Sequence, residues 1–87
     1  MTSIQNNTTF IGIISSSVSS ISAIDNCETV KIMIEFNNGK NIIIGESTTL
    51  YDGQNVVNRL IKGIENGKDI YICAFKYYMI GIEKYYL

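Results

Sequence analysis

The side chains able to do chemistry are few and widely spaced in this 87-residue chain. It contains no histidine, so neither a nucleophile–histidine pair nor a histidine metal site can form within it. Cys27 and Cys73 do not have the CxxC spacing of a metal site. We interpret both as small core residues with free thiols, with a disulfide between them as the alternative.

The carboxylates and glycines show no catalytic or phosphate-binding pattern either. The eight carboxylates lack DxD or ExxE clustering, and we interpret them as solvated charges, a helix cap and strand-edge gatekeepers. The seven glycines form neither GxGxxG nor a GKS or GKT loop. Gly39-Lys40-Asn41 lies in a predicted hairpin, not between a strand and a helix. We therefore expect a protein that is not an enzyme, with no metal and no cofactor.

Tyrosine is the residue type that points most directly to a function. Five of the six tyrosines follow residue 70, and they include the adjacent pairs Tyr77-Tyr78 and Tyr85-Tyr86. Neighbouring residues of a strand point to opposite faces, so one ring of each pair should point away from the core. Tyrosine is enriched at interfaces and their hot spots. The candidate partner-binding residues are Tyr77, Tyr78, Tyr85 and Tyr86; the alternative is that the rings cover a thin core.

The N-terminal part of the chain predicts two strands. Residues 1–7 are polar, and we expect a flexible N-terminus followed by one domain over residues 8–87. Residues 8–14 (TTFIGII) are β-branched and aromatic, which favours a first strand. Residues 15–24 are ambiguous, because apolar residues recur near helical spacing whereas serine is a poor helix former. We favour a second strand over residues 20–24, after a serine-rich turn or bulge.

Apolar and polar residues alternate along residues 29–46, on both sides of an asparagine–glycine turn. This is the pattern of two half-buried strands and predicts a hairpin. Two registers fit. A two-residue turn at Asn38-Gly39 pairs Ile34 with Ile43, whereas a three-residue loop with Gly39 left-handed pairs Ile34 with Ile42. We predict the second, because it collects the isoleucines on one face and a one-residue slip would reverse every side chain. Its other pairs are Phe36 with Lys40 and Ile32 with Ile44.

A helix follows the hairpin. Asp52 is a good N-cap, and the alternative is Thr49 as N-cap with Asp52 completing a variant capping box. Asn66-Gly67 predicts the C-terminal end, with Gly67 left-handed. The apolar stripe consists of Val56, Val57, Leu60, Ile61 and Ile64.

The C-terminal segment predicts two more strands. Residues 70–75 (IYICAF) form one, Lys76-Tyr77 a turn, and residues 78–85 a last strand with a bulge at Gly81. One long bent strand is the alternative for this segment. The predicted fold class is α+β, in the order β-β-β-β-α-β-β: a small antiparallel sheet of about five to six strands packed on one amphipathic helix.

Composition and charge narrow the partner class. The net charge is −1 and the basic residues are scattered singly, so we expect no duplex nucleic-acid partner. No run approaches the roughly 18 apolar residues of a membrane span, and residues 1–7 do not resemble a secretory signal. We expect a cytoplasmic protein with no membrane partner. A chain of this length has a thin core, and uncovered apolar surface favours a protein partner or a homodimer.

The hairpin and helix carry a resemblance to a known family. The run KIMIEFNNGKNIIIGES over residues 31–47, with a helix ending in Ile64-Glu65-Asn66-Gly67, is similar to small phage-encoded anti-CRISPR inhibitors of Cas9. The resemblance covers residues 31–67. This chain lacks the strongly acidic composition and the N-terminal helix of that inhibitor, so no contact residue is carried over. A similar strand–NGK–strand–helix run occurs in a short bacterial flagellar protein family.

These observations favour a non-enzymatic protein-binding module. Abundant Ile, Asn, Lys and Tyr, with one arginine and no proline, are typical of AT-rich genes of low-GC bacteria, their plasmids or their phages. Together with the resemblance, this composition implies a phage or mobile-element inhibitor of a bacterial defence protein, such as a host nuclease. The alternatives are a structural homo-oligomeric subunit that pairs through an edge strand, and a small-ligand or nucleotide-binding sponge.

Overall fold

The computed structural model describes residues 10–87, which form antiparallel strands around one α-helix. The expectations for residues 1–7, and for residues 8 and 9 of the first strand, lie outside this range. A short 3-10 helix, Ser15–Ser17, follows the first strand. The elements are β1 (Phe10–Ile13), β2 (Val18–Asp25), β3 (Val30–Phe36), β4 (Asn41–Ser47), α1 (Leu50–Glu65), β5 (Ile70–Cys73), β6 (Tyr77–Ile80) and β7 (Glu83–Tyr86).

The predicted α+β class, with antiparallel strands packed on one amphipathic helix, is confirmed. The strands divide into a four-stranded sheet in the order β1-β5-β6-β7 and a three-stranded sheet in the order β2-β3-β4. Both sheets contribute isoleucines to one core around α1. Within residues 10–87, no helix has the length and apolar character needed to cross a membrane.

The three-stranded sheet confirms the predicted hairpin register next to its loop. Ile34 pairs with Ile42, and the Phe36 amide donates to the Lys40 carbonyl at 2.8 Å. Gly39 has a φ of +87°, the left-handed conformation that the three-residue loop requires. Residues 18–25 form strand β2 rather than a helix, after the serine-rich 3-10 turn.

Further from the loop the predicted register is wrong, because a bulge interrupts β4. Ile32 lies opposite Gly45 instead of Ile44. The Ile44 carbonyl accepts the Phe75 amide at 2.7 Å, and a Cβ on Gly45 would lie 2.8 Å from Leu87 Cδ1. The bulge therefore joins β4 to the β5–β6 turn and to the chain end, and Ile44 stays buried.

The N-cap of the helix is one of the two predicted alternatives. The Thr49 side chain accepts the Asp52 amide at 3.1 Å, so Thr49 is the N-cap and Asp52 as N-cap is wrong. The middle of the predicted stripe faces the core: Val57 and Leu60 are buried. Ile61 lies at the edge of the stripe and is 37% exposed.

The helix ends at the predicted residues. The Gly67 amide donates to the Ile64 carbonyl and the Lys68 amide to the Gly63 carbonyl, both at 3.0 Å. Gly67 has a φ of +70°, and Asn66 is the C-cap. This is a Schellman motif, which satisfies the last carbonyls of the helix.

Two glycines bring α1 close to both sheets. A Cβ on Gly53 would lie 2.7 Å from Val30 Cγ1 in the three-stranded sheet. A Cβ on Gly63 would lie 2.7 Å from Ile80 Cγ2 and 3.0 Å from Ile70 Cδ1 in the four-stranded sheet. Since real Cβ atoms do not approach so closely, the helix backbone can come this near to the two sheets only because Gly53 and Gly63 have no side chain.

The C-terminal segment forms three strands rather than two. Gly81, with a φ of +63°, and Ile82 form a two-residue turn that pairs Ile80 with Glu83. A left-handed first residue is what a type II′ hairpin requires, so a bulge at Gly81 within one strand is wrong. The alternative of one long bent strand is also wrong, because the Lys76 amide turns back to the Cys73 carbonyl at 3.0 Å.

Candidate functional site

The four candidate tyrosines lie on neighbouring strands and divide between the two faces of the four-stranded sheet. Tyr78 is directly opposite Tyr85, and Tyr77 is directly opposite Tyr86. Residues opposite each other on antiparallel strands share a face. Tyr78 and Tyr85 therefore point toward α1, and Tyr77 and Tyr86 point away from it.

In the inner pair, Tyr78 belongs to the core and Tyr85 is partly buried against it. Tyr78 is fully buried, and its ring stacks on Tyr85 at a centroid distance of 5.3 Å and an interplanar angle of 20°. Arg59 lies 4.5 Å from the centroid of Tyr85 and donates to the Tyr78 hydroxyl at 2.5 Å. Tyr78 is thus not accessible to a partner, and its predicted binding role is corrected to packing. In β6 it alternates with the half-buried Tyr77 and Met79, and its ring faces the helix.

The environment of Tyr78 opposes ionisation. Burial removes water from the phenol and raises its pKa above the ordinary value of 10.0. The Arg59 hydrogen bond and positive charge act in the opposite direction, and Tyr85 raises the pKa further. Since burial is the largest of these effects, the neutral phenol is favoured and accepts from Arg59 without carrying charge.

The outer side of the four-stranded sheet carries an exposed aromatic surface, which we call the aromatic face. It consists of Tyr71, Tyr77, Met79, Lys84 and Tyr86. Tyr86 is 76% exposed and Tyr71 is 41% exposed, while Tyr77 and Met79 are half-buried. Strand pairing sets these residues in two rows, with Tyr71 opposite Met79 and Met79 opposite Lys84 in one, and Tyr77 opposite Tyr86 in the other.

Lys84 holds two of these rings together. Its Nζ lies 4.2 Å from the centroid of Tyr77 and 5.5 Å from that of Tyr86. The two rings meet edge to face, with centroids 6.3 Å apart. A cation within about 6 Å of an aromatic face is attracted by the ring quadrupole. The aromatic face is therefore organised around one positive charge.

Tyr71, Met79 and Lys84 were not predicted as site residues. Tyr71 lies between Ile70 and Ile72, both buried, so the two-residue period of the strand already directs it outward. Its ring lies beside Gly12, where a Cβ would be 3.3 Å from Tyr71 Cε1. Sequence periodicity was sufficient to find Tyr71. Met79 comes beside it through the pairing of β5 with β6, whereas the position of Lys84 depends on the Gly81-Ile82 turn.

The cysteines and carboxylates form no alternative site. Cys73 is buried and Cys27 is exposed, and both thiols are free. The core interpretation is thus confirmed for Cys73 and wrong for Cys27, and the alternative of a disulfide is wrong. Cys27 lies in a tight loop with a φ of 78°. Among residues 10–87, no group of three or more carboxylate and thiol side chains is placed to hold a metal ion.

Comparison of the chain with protein families, with curated proteins and with solved structures finds no match.

Proposed function

We propose that this protein is a non-enzymatic protein-binding module that docks its partner on the aromatic face. The observation that supports this proposal most directly is the exposure of Tyr86 and Tyr71 on one side of a four-stranded sheet. Large rigid rings with polar tips are the side chains that most often dominate protein–protein binding energy.

The surrounding residues suit a partner better than core covering. A ring that completed the core would be largely buried, as Tyr78 is, whereas Tyr86 is 76% exposed and meets the Tyr77 ring on the outer surface. Met79 adds a flexible apolar side chain beside the rings, which adapts to the shape of a partner. Lys84 supplies one cation at the centre, which favours a partner with acidic or carbonyl groups opposite it.

The resemblance over residues 31–67 suggests the first partner to test. We propose a bacterial defence nuclease of the Cas9 type as that partner, which would make the protein an inhibitor encoded by a phage or mobile element. The binding surface proposed here lies outside the resembling segment, on residues 71–86. Binding to such a nuclease and use of the aromatic face are therefore separate questions with separate measurements.

The test compares two equally exposed tyrosines. Tyr86 and Tyr51 are each 76% exposed, but Tyr51 lies at the start of α1, away from the aromatic face. Wild type, Tyr86→Ala and Tyr51→Ala are immobilised, and the same captured protein is quantified from bacterial lysate and, separately, with a purified Cas9-type nuclease. We expect Tyr86→Ala to weaken capture about tenfold or more, as at a hot spot. Tyr51→Ala should match wild type.

The control for folding is circular dichroism, which should be unchanged in both variants because both rings are exposed. Equal capture by Tyr86→Ala and wild type would contradict the aromatic face as the binding surface. If wild type captured a protein from lysate but did not bind the purified nuclease, the aromatic face would remain the proposed binding surface and the nuclease would be excluded as its partner.

A further inference from the structure

A second surface lies on the three-stranded sheet, away from the aromatic face. We propose that the protein forms a homodimer in which the β2 strands of two copies pair antiparallel and join the two three-stranded sheets into one of six strands. The proposal does not depend on the aromatic face, because β2 belongs to the other sheet.

Within residues 10–87, nothing protects the free edge of strand β2. It is the longest of the described strands, with eight residues, and it lies at the edge of its sheet. Its first seven residues, VSSISAI, carry no charge and no proline, and Asp25 at its end is its sole ionisable residue. Edge strands that stay unpaired are normally short, charged or covered.

The other described edges are short, charged or already bonded, and β1 has only four described residues, Phe10–Ile13. In β4, the Ile44 carbonyl already accepts the Phe75 amide, and Leu87 packs against Gly45. Strand β7 has only four residues and begins with Glu83 and Lys84. The contrast identifies β2 as the edge suited to pairing with another strand.

Both ends of β2 are held in place before any partner arrives. At its start, the Asn37 side chain donates to the Ser16 carbonyl at 2.7 Å, and the Asn37 amide donates to the Ser17 carbonyl at 2.8 Å. At its end, the Asp25 carboxylate accepts the Cys27 amide at 2.9 Å. A strand fixed in this way loses little conformational entropy on pairing.

An apolar groove runs beside the same edge. Val18 and Ile21 of β2 and Ile61 and Ile64 of α1 form the apolar part of a cavity of about 310 Å³ that opens to solvent, and Ser19, Ser20 and Glu65 line the rest. Ile61, an apolar residue of the helix stripe, is 37% exposed there. Antiparallel pairing about a two-fold axis keeps both helices on the same side of the joined sheet, so the two grooves face each other and cover their isoleucines.

Charge favours a second copy in the antiparallel direction. With the axis near the middle of β2, at Ile21 or Ser22, the two Asp25 carboxylates lie at opposite ends of the joint, on the order of 20 Å apart. A parallel pair would place them side by side. Because the single charge of β2 lies at its end, two copies of the strand can pair antiparallel without bringing like charges together.

The test compares two variants, each with one lysine added to the outer face of the three-stranded sheet. One lysine is on the edge strand β2 and the other on the opposite edge strand, β4. Ser22→Lys places two lysines within two residues of the proposed axis, so that like charges oppose each other across the joint. Asn41→Lys adds the same charge on the same outer face, but on β4 at the far edge, where it lies opposite Glu35. Both positions tolerate a solvated side chain, and circular dichroism verifies the fold.

Analytical ultracentrifugation over micromolar to high-micromolar protein measures the assembly. We expect wild type and Asn41→Lys to approach twice the 9.7 kDa chain mass. Ser22→Lys should raise the dissociation constant about tenfold or more, and added salt should partly reverse this by screening the lysines. A wild type that stays at 9.7 kDa at every concentration would overturn the proposal. So would a dimer that Ser22→Lys leaves unchanged, or one that only Tyr86→Ala dissociates.

Discussion

Gly63 is the residue whose replacement tests the helix–sheet packing most sharply. In an isolated helix, changing glycine to alanine stabilises by about 1 kcal/mol. Here the added methyl would lie 2.7 Å from Ile80 Cγ2 and 3.0 Å from Ile70 Cδ1. Helix propensity and packing therefore act in opposite directions on the same substitution, and the sign of the result shows which is larger.

The structure indicates that the packing cost of the added methyl is larger than the gain in helix propensity. Ile80 Cγ2 is bonded directly to a β-branched Cβ, so it moves only if χ1 or the strand moves. Ile80 and Ile70 are both buried, and neither has a free end turned to solvent. Overpacking of a rigid site costs about 1–3 kcal/mol. After subtraction of the helix gain of about 1 kcal/mol, we expect Gly63→Ala to lower the free energy of unfolding by up to about 2 kcal/mol, which is a drop in Tm of up to about 15 °C for a domain of this size.

Thermal and urea unfolding of a double-mutant cycle provide the assay. Ile80→Leu removes the methyl branch at Cβ while keeping the volume, so Gly63→Ala should be less destabilising in that background, with a coupling of about 1 kcal/mol. Gly67→Ala is the control. Its φ of +70° makes it unfavourable for a different reason, and no atom lies within 4 Å of its added Cβ. Its effect should be the same in both backgrounds.

A Gly63→Ala protein more stable than wild type would refute the packing argument. Equal destabilisation in the wild-type and Ile80→Leu backgrounds would refute the assignment of the clash to Ile80 Cγ2. The first result would place the helix further from the four-stranded sheet than the structure does, whereas the second would leave Ile70 Cδ1, 3.0 Å from the added methyl, as the opposing contact.

Three further predictions concern single side chains. Because burial raises the pKa of Tyr78, wild-type stability should be complete below pH 10.0 and fall as pH rises through the folded pKa; Tyr78→Phe should flatten this dependence in urea midpoints. Leu60→Ala should destabilise by about 2–5 kcal/mol and Ile61→Ala by less than about 1 kcal/mol, because only Leu60 is fully buried; equal losses would contradict this. Thr49→Ala should cost about 1 kcal/mol in urea unfolding and Thr49→Ser little, since serine keeps the capping oxygen.

Features set by short-range chemistry could be predicted from the sequence. The loop at Gly39 and the helix end at Asn66-Gly67 each depend on a left-handed glycine next to its own hydrogen-bonding partners. The period of two in β6 correctly assigned Tyr77 and Tyr78 to opposite faces. In each case the deciding contacts lie within a few residues along the chain.

Features set by distant contacts could not be predicted in this way. The bulge at Ile44 and Gly45 forms because Phe75 and Leu87, about thirty or more residues later in the sequence, bind and cover that point. Glycine is a weak helix former, and nothing in the pattern around Gly63 indicates that its small size is what lets Ile80 approach. Which ring of each tyrosine pair is exposed depends on which face of the sheet α1 covers, and the sequence pattern of the strands does not determine that face.

The turn at Gly81-Ile82 is a different case, because the sequence contains a pattern that could have predicted it. Glycine followed by any residue is the usual pattern of a two-residue type II′ turn. The bulge interpretation kept the following residues in one strand and so missed the pairing of Tyr77 with Tyr86. That pairing, with Lys84 between the rings, is what builds the aromatic face.

The two proposed surfaces lie on different sheets, so a dimer joined at β2 would present two aromatic faces at once. A partner fixed at high density on a surface would then be held at both sites, and the second contact would benefit from a high effective concentration. Ser22→Lys should therefore weaken capture on a dense surface while leaving the affinity for soluble, monomeric partner unchanged. Tyr86→Ala should weaken both. If Ser22→Lys lowered the affinity in solution as well, β2 would be part of the partner-binding surface itself, and the division of roles between the two sheets would be wrong.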